Sequence, residues 1–344
     1  MYNLSIKEVI EETKDTVSVS FNVPDSLAAE FNHIPGQYLT LEVDVNGETL
    51  RRAYSLCSNP FKGESPKVAV KRVEGGKVSN YINDNFQAGQ EVKVLAPLGK
   101  FVAETAPYNK KHYVLCAGGS GITPVMSILK AVLSEEVNSR VSLIYVNRNL
   151  EDIVFKSELD SLISEYSGKL QVVHYLSSEE GRMDGHAFNS LLGSLDDVGQ
   201  ANYFMCGPQG FMEVVEDALT ESGVDSSKIN KEYFSAKESS SDSEAEEVSL
   251  EIVDRNVVVV IDDEEKEILV TADSQILEAA IDNDLDPPYS CQAGVCTTCR
   301  CKLVSGKVHM DEMEGLSEEE IEEGYVLACQ AHPLTDNVKV EFSL

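Results

Sequence analysis

The sequence predicts a multidomain fold: an antiparallel β-barrel, then a doubly wound α/β domain, then a small α+β domain. Three observations carry that expectation. Short runs of alternating apolar and polar residues recur over positions 1–104, the pattern of half-buried strands. From 108 to about 236, apolar strand-like runs alternate with helical patterns, which marks a parallel sheet with helices on both faces. Residues 237–248 are rich in serine and acid with one late apolar residue, Val248. Such a stretch has too little apolar surface to order itself, so it predicts a linker of roughly 20 Å r.m.s. reach before a last domain at 249–344.

The barrel strands are expected at Thr16–Val23, Tyr38–Val45, Glu48–Ser55, Val68–Val73 and Glu91–Leu95, with a first strand at the N-terminus. Asn46-Gly47 is a two-residue hairpin signal. A short helix fits Val78–Asn85. Within the fourth run lies Arg52-Ala53-Tyr54-Ser55. An arginine suits a pyrophosphate, a tyrosine ring can stack on a flavin, and a serine can hydrogen-bond a flavin nitrogen. On an ideal strand Arg52 and Tyr54 share a face and Ser55 points the other way, so a bend is needed for all three to meet one ligand. Gly75-Gly76 opens the helix, and its free N–H groups with the Ser79 hydroxyl make an anion site.

The α/β region begins with the apolar strand His112–Cys116. Gly118-Gly119-Ser120-Gly121-Ile122-Thr123-Pro124 follows, then a helix over Val125–Leu133. Glycines between strand and helix let the backbone approach a pyrophosphate, and Pro124 suits the first helical turn. Gly119, Gly121, Thr123 and Pro124 are the candidate nicotinamide-binding residues; a plain tight turn is the alternative. Strand–helix pairs follow at Val141–Val146 with Phe155–Tyr166 and at Leu170–Tyr175 with Ala187–Leu192. Arg148 lies just after the second strand, where an arginine can accept the 2′-phosphate of NADPH and an acid would favour NADH. Arg182 is a candidate helper. The last strand, Tyr203–Cys206, leads through Gly207-Pro208 into a helix over Phe211–Leu219.

Near the end, Cys291, Cys296 and Cys299 fall in the pattern C-x4-C-x2-C, and Cys329 follows. That is the ligand spacing of a plant-type 2Fe-2S cluster. Structural zinc or a set of buried free thiols is the alternative, but zinc sites usually pair C-x2-C knuckles. Cys301 exceeds the four-ligand count and reads as a buried thiol, as do Cys57 and Cys116. Around the loop, strands are expected at Leu250–Val253, Val257–Ile261 and Glu267–Val270, with a turn at Asp262-Asp263. A helix at Gln275–Asn283 takes Ser274 or Asp273 as its cap, and a hairpin spans Lys302–Val308. Ser317 caps a short helix that Gly324 ends.

Charge narrows the class of partner. The chain carries 59 Asp and Glu against 28 Lys and Arg, a net charge of −31. That excludes a nucleic-acid binder, which needs a basic face. From Ser249 onward there are 22 acids and 6 bases, a net of −16. A generally acidic, salt-adapted surface and a docking face for a basic electron acceptor both account for it. No run is long enough to span a membrane. Eight cysteines without an export signal point to a cytosolic, metal-using protein.

The R-x-Y-S strand, the glycine-opened helix, the G-G-S-G-I-T-P loop and the C-G-P text at Cys206–Pro208 together resemble the ferredoxin–NADP+ reductase superfamily. The C-terminal stretch resembles plant-type ferredoxins of β-grasp fold. The resemblance implies that Arg52 and Ser79 bind the flavin pyrophosphate, Tyr54 stacks on the ring and Ser55 sits near the reactive nitrogen. It puts Cys206 and Gly207 beside the nicotinamide, with Phe234 shielding the flavin and Glu232 aiding hydride geometry. It implies FAD, with FMN in a minority subgroup. The module order is similar to that of oxygenase reductase components, especially the phenylacetyl-CoA epoxidase type. Implied is a route from NADPH through FAD and 2Fe-2S to a separate oxygenase. Other acceptors in such relatives are desaturases, hydroxylases and deoxysugar dehydratases. A non-enzymatic redox sensor has no need of the nicotinamide set.

Overall fold

The computed structural model describes residues 1–195, 198–234 and 252–342. The chain divides into two compact units, Met1–Phe234 and Ser235–Leu344. The expected linker at 237–248 lies outside the described residues.

The first unit opens with six antiparallel strands: β1 (Tyr2–Thr13), β2 (Thr16–Asn22), β3 (Tyr38–Val45), β4 (Glu48–Ser55), β5 (Lys67–Lys71) and β6 (Glu91–Val94). Their order is β4-β3-β6-β1-β2-β5. The two ends meet where Leu56 bridges to Val68 and the Cys57 N–H donates to Lys67 O at 2.8 Å. That contact turns the sheet into a barrel. Asn46 and Gly47 both have positive φ, 58° and 84°, which fixes the β3–β4 hairpin as type I′ and sets its register. Leu4, Ile6, Phe21, Leu39, Leu41 and Val94 fill the interior. Helix α1 (Lys77–Asn85) adds Val78 and Ile82 to the same core.

Five parallel strands follow: β7 (His112–Gly118), β8 (Arg140–Asn147), β9 (Leu170–Leu176), β10 (Asn202–Cys206) and β11 (Ile229–Glu232). They alternate with helices α2 (Ile122–Glu135), α3 (Lys156–Glu165), α4 (Ser177–Glu180), α5 (Gly185–Gly193) and α6 (Gln209–Glu221). Every residue of β7 is buried, as expected of the middle strand of a sheet covered on both faces. Each buried Val or Leu there stabilises the fold by about 1.5–3 kcal/mol. The sheet order is β11-β10-β7-β8-β9. From β7 the chain builds outward on one side, then returns to build on the other. The carboxyl ends of β7 and β10 therefore flank the topological switch point, where ligands bind in such sheets.

The second unit is a mixed sheet of order β13-β12-β18-β14-β16, from β12 (Arg255–Ile261), β13 (Glu264–Val270), β14 (Arg300–Ser305), β16 (Tyr325–Leu327) and β18 (Val338–Phe342). A two-stranded ribbon, β15 (Val308–Met310) with β17 (Ala331–Pro333), stands apart from it. Helix α7 (Ile276–Asp282) packs Ile276, Leu277 and Ala280 against Val257, Val259 and Val340. Helix α8 (Glu318–Glu322) starts at Ser317 with a complete capping box to Glu320, and Gly324 follows at φ 82°. This is the α+β, β-grasp arrangement. Among the described residues no helix is long and apolar enough to cross a membrane.

Three local expectations are corrected here. Lys302–Val308 is not a hairpin: both edges of β14 are already taken by β16 and β18, so β15 pairs with β17 instead. Neither Ser274 nor Asp273 caps α7; the N-cap is Gln275, because both side chains are engaged by the Thr271 hydroxyl in the preceding turn. Ile252 and Val253 are not in a strand, and β12 begins at Arg255; Leu250 and Glu251 lie outside the described residues.

Candidate cofactor and cluster sites

The barrel presents two adjacent arginines with different fates. Arg51 is buried, and its Nε donates to Glu42 Oε2 at 2.8 Å. Arg52 is half-buried, donates from Nη1 to Arg51 O at 2.7 Å, and among the described residues meets no carboxylate. Its charge is left for an anionic ligand. The β3–β4 register sets Arg52 opposite Leu41 and Tyr54 opposite Leu39, on one face. Ser55 stands opposite Tyr38, on the other face, and the register runs through it unbroken. The structure thus sets Arg52 and Tyr54 on one face and Ser55, the last residue of the strand, on the other. Burial pushes the Tyr54 phenol well above its ordinary range, against the opposing charge of Arg52.

Gly76 is the N-cap of α1, where an added Cβ would meet Ser79 Oγ at 2.6 Å and displace that hydroxyl. Ser79 is buried, and its hydroxyl accepts from the Val73 N–H at 3.2 Å. The hydroxyl thus shapes the turn, while the first-turn N–H groups of α1 remain without intrahelical partners. Lys77 Nζ pairs with Glu48 Oε2 at 2.5 Å, which ties this helix start to the strand that carries Arg52.

At the switch point two loops touch backbone to backbone. A Cβ on Gly121 falls 2.0 Å from Cys206 O, and one on Gly118 falls 2.8 Å from Pro208 Cδ. On Gly207 it meets Phe211 Cδ1 at 2.6 Å. Only glycines allow this approach. Gly119 has φ 53°, and its carbonyl accepts from Tyr145 Oη at 3.2 Å. Thr123 Oγ1 donates to Ser120 O at 3.0 Å, and Pro124 is buried in the first turn of α2. Thr123 therefore braces the loop. Arg148 is exposed just past β8, and its carbonyl accepts from the Ser178 N–H at 3.0 Å. Arg182 lies against Gly210, at the start of α6. Asn147, at the carboxyl end of β8 beside Arg148, is buried with its side chain as a hydrogen-bonding neighbour of the Tyr145 phenol.

Cys206 and Glu232 are register partners on β10 and β11. Burial raises the Cys206 thiol well above its ordinary range, and the Glu232 charge adds to the shift. Burial likewise lifts Glu232 to about 8. Burial thus favours the protonated form of both groups. Phe234 is 45% exposed at the end of the unit's described residues. Cys57 and Cys116 are fully buried, with thiols pushed up to about 12 by desolvation; both are core residues.

In the second unit the ladder itself assembles the thiols. Arg300 pairs with Leu327, so Cys299 and Cys329 flank the same rung, and the Ala328 N–H donates to Cys299 O at 3.1 Å. The four sulfurs associate in two pairs. The Cys291 thiol is drawn below its ordinary range by hydrogen bonding with Cys296, and that of Cys329 by hydrogen bonding with Cys299. Backbone N–H groups of Ala293, Val295 and Cys296 also favour thiolate at Cys291, and the Gly294 N–H does so at Cys329. Gln330, which spacing did not single out, places Nε2 3.6 Å from Cys329 Sγ. Among the described residues no three ligating side chains converge on one point. Two thiol pairs match the two irons of a binuclear cluster, each of which takes two terminal sulfurs. The buried Ser290 hydroxyl, next to Cys291, lacks a partner among the described residues, which fits a donor facing an acceptor that the bound group would supply. Cys301 points elsewhere: its Sγ faces Val326 O at 3.8 Å in the core.

Three family models match in chain order. An oxidoreductase FAD-binding domain covers residues 3–103, an oxidoreductase NAD-binding domain 115–217, and a 2Fe-2S iron-sulfur cluster binding domain 259–334. The chain is 37% identical to the ferredoxin reductase component of 3-ketosteroid-9-alpha-monooxygenase from Rhodococcus rhodochrous, over 98% of this chain and 96% of the relative. The chain belongs to the oxygenase reductase family. It is also 36% identical to a component of the 1,2-phenylacetyl-CoA epoxidase of Escherichia coli (strain K12), over 99% and 97% of the two chains. Among solved structures, phthalate dioxygenase reductase matches with a TM-score of 0.61 and 25% identity, over 99% of this chain and 98% of that one. The family carries FAD, a nicotinamide nucleotide and a 2Fe-2S cluster, and the residues above fit all three.

Proposed function

We propose that the chain takes electrons from NADPH and delivers them, through FAD and the 2Fe-2S cluster, to a separate terminal oxygenase. The full-length likeness to components of two oxygenases carries this reading. Bound flavin supplies two-electron hydride chemistry, and the cluster supplies one-electron transfer. The chain's part is placement. Arg52 and the first-turn N–H groups of α1, shaped by Gly76 and Ser79, hold the flavin pyrophosphate, and Tyr54 lies against the ring. Gly119, Gly121 and Gly207 let the dinucleotide approach the backbone, with Thr123 and Pro124 fixing the turn. Arg148, aided by Arg182, takes the 2′-phosphate, which favours NADPH over NADH. Cys206 and a protonated Glu232 form the polar rim, and Phe234 covers the flavin face. Cys291, Cys296, Cys299 and Cys329 hold the cluster. The three modules act as domains at 1–104, 108–236 and 249–344, joined by the 237–248 linker, in a reducing cytoplasm.

For the acceptor, phenylacetyl-CoA epoxidase is the reading we favour, with a steroid monooxygenase as the second because that relative is equally similar. An acceptor with a basic docking face suits the −16 charge of the last 96 residues. Reconstitution tests it. The protein, NADPH and each candidate oxygenase are combined, and product is measured. Phenylacetyl-CoA epoxide formation supports the first reading, 9α-hydroxysteroid the second, and coupling to neither sinks both.

A further inference from the structure

The flavin strand β4 ends at Ser55. The chain then passes through buried Leu56 and Cys57 to Ser58 and Asn59, which are 0% and 3% exposed, against the flank of α2. There Ser127 Oγ donates to Ser58 O at 2.7 Å. Asn59 Nδ2 donates to Lys130 O at 3.2 Å and to Ser134 Oγ at 3.1 Å. The Lys130 side chain is 4% exposed, and its Nζ bridges Glu64 Oε2 at 2.8 Å and Glu158 Oε1 at 3.0 Å. Glu64 Oε2 also accepts from the Asn59 N–H at 3.0 Å. One ammonium thus binds the barrel loop, α2 and α3 together. The amino end of α2 is the Gly119–Gly121 loop. A buried polar seam therefore ties the segment that follows the strand of Tyr54 to α2, the helix whose amino end is the loop proposed to receive the nicotinamide nucleotide.

An apolar seam would hold these elements as firmly, because a buried ion pair gains little net stability over well-packed hydrophobic residues. What directed hydrogen bonds add is a single register. A slip of one residue along α2 displaces its loop by about 1.5 Å. Reacting atoms must meet at about 3–3.5 Å, and an error near 1 Å can cost about a hundredfold in rate. We propose that Lys130, with Ser127 and Asn59, is a positioning clasp that fixes the nicotinamide loop against the flavin strand and so sets the hydride-transfer distance. The proposal rests on the hydride-transfer reading above and assigns the seam a role in it. None of the three is among the residues assigned to either cofactor.

The test uses the full-length, FAD-loaded protein and Lys130→Met. Flavin reduction at saturating NADPH is followed anaerobically by rapid mixing, and NADP+ affinity is measured by flavin difference spectra. The expected result is a fall of about 10- to 100-fold in the reduction rate, with NADP+ affinity within about twofold of wild type. The long-wavelength flavin–nicotinamide charge-transfer absorbance falls in parallel. Lys130→Arg restores most of both. In the cofactor-free protein, hydrogen exchange rises at residues 56–59 and along α2. Should Lys130→Met fail to fold, Ser127→Ala removes one buried donor without a charge and gives the same split at smaller amplitude. A lower melting temperature with unchanged reduction rate and charge-transfer absorbance would make the seam structural only and overturn the clasp. Failure of the wild type to accept hydride from NADPH or NADH is a separate outcome; it would overturn the functional reading and the clasp with it.

Discussion

The cysteine loop of the second unit and the glycine loops of the first hold their groups by opposite means. Cys291, Cys296, Cys299 and Cys329 present side-chain sulfurs, and the β14–β16 ladder brings the last two together. The glycines at 118, 121 and 207 present nothing; they remove side chains so that two loops can pack closely against each other, the cradle we propose for the nicotinamide nucleotide. One site is a set of atoms supplied, the other a set of atoms withheld. A donor site is therefore lost by deleting a group and a cradle by adding one.

The largest contrast is expected in the cluster unit. Cys296→Ala should remove the 2Fe-2S absorbance and drop reduction of a protein acceptor to background, while NADPH still bleaches the flavin. Cys301→Ser should keep the cluster and cost about 1–2 kcal/mol of stability, the effect of a hydroxyl in an apolar core. Loss of the cluster in the serine variant would dissolve the distinction between ligand and core thiol.

Next comes the cradle. Gly121→Ala drives a methyl into Cys206 O, so it should lower stability by about 1–3 kcal/mol and abolish nicotinamide binding. Gly193→Ala, at the last position of α5 with nothing within 4 Å of the added Cβ, should leave binding intact. Calorimetric titration with NADP+ separates them, and equal losses would show that the close approach has no special role.

A smaller effect is expected at Arg148. Replacing it by Ala should weaken NADPH about 10- to 100-fold, the worth of a charge-assisted contact, and leave NADH nearly unchanged. Equal weakening of both would reject the 2′-phosphate role.

The smallest is a pH slope from Glu232. Its folded pKa is raised to about 8 from the ordinary 4.5. Between those values the native state holds a proton that the unfolded chain has released. Stability from this group is complete below pH 4.5 and is lost as pH rises through 8. Melting temperatures across that range should fall in the wild type and fall less in Glu232→Gln; parallel curves would mean that Glu232 is not buried in its acid form.

Much of this was legible in the chain. Period-2 runs and strand–helix alternation predict both domain classes of the first unit, and cysteine spacing predicts the paired thiols. What was not legible depends on contacts between distant segments. Gly121 can be read as a turn glycine, but its abutment on Cys206 arises only once β7 and β10 lie side by side. The edges of β14 are filled by β16 and β18, so its neighbour in sequence, β15, has to pair elsewhere. Arg51 and Arg52 look alike in sequence until Glu42, across the hairpin, neutralises the first.

Rapid anaerobic mixing of the wild-type protein with NADPH, followed at the flavin and 2Fe-2S bands together, measures the order of events directly. The flavin is expected to bleach first and the cluster after it, with Cys296→Ala retaining only the first phase. Bleaching of the cluster while the flavin stays oxidised, or of neither chromophore, would contradict a chain in which the glycine cradle feeds the cysteine loop.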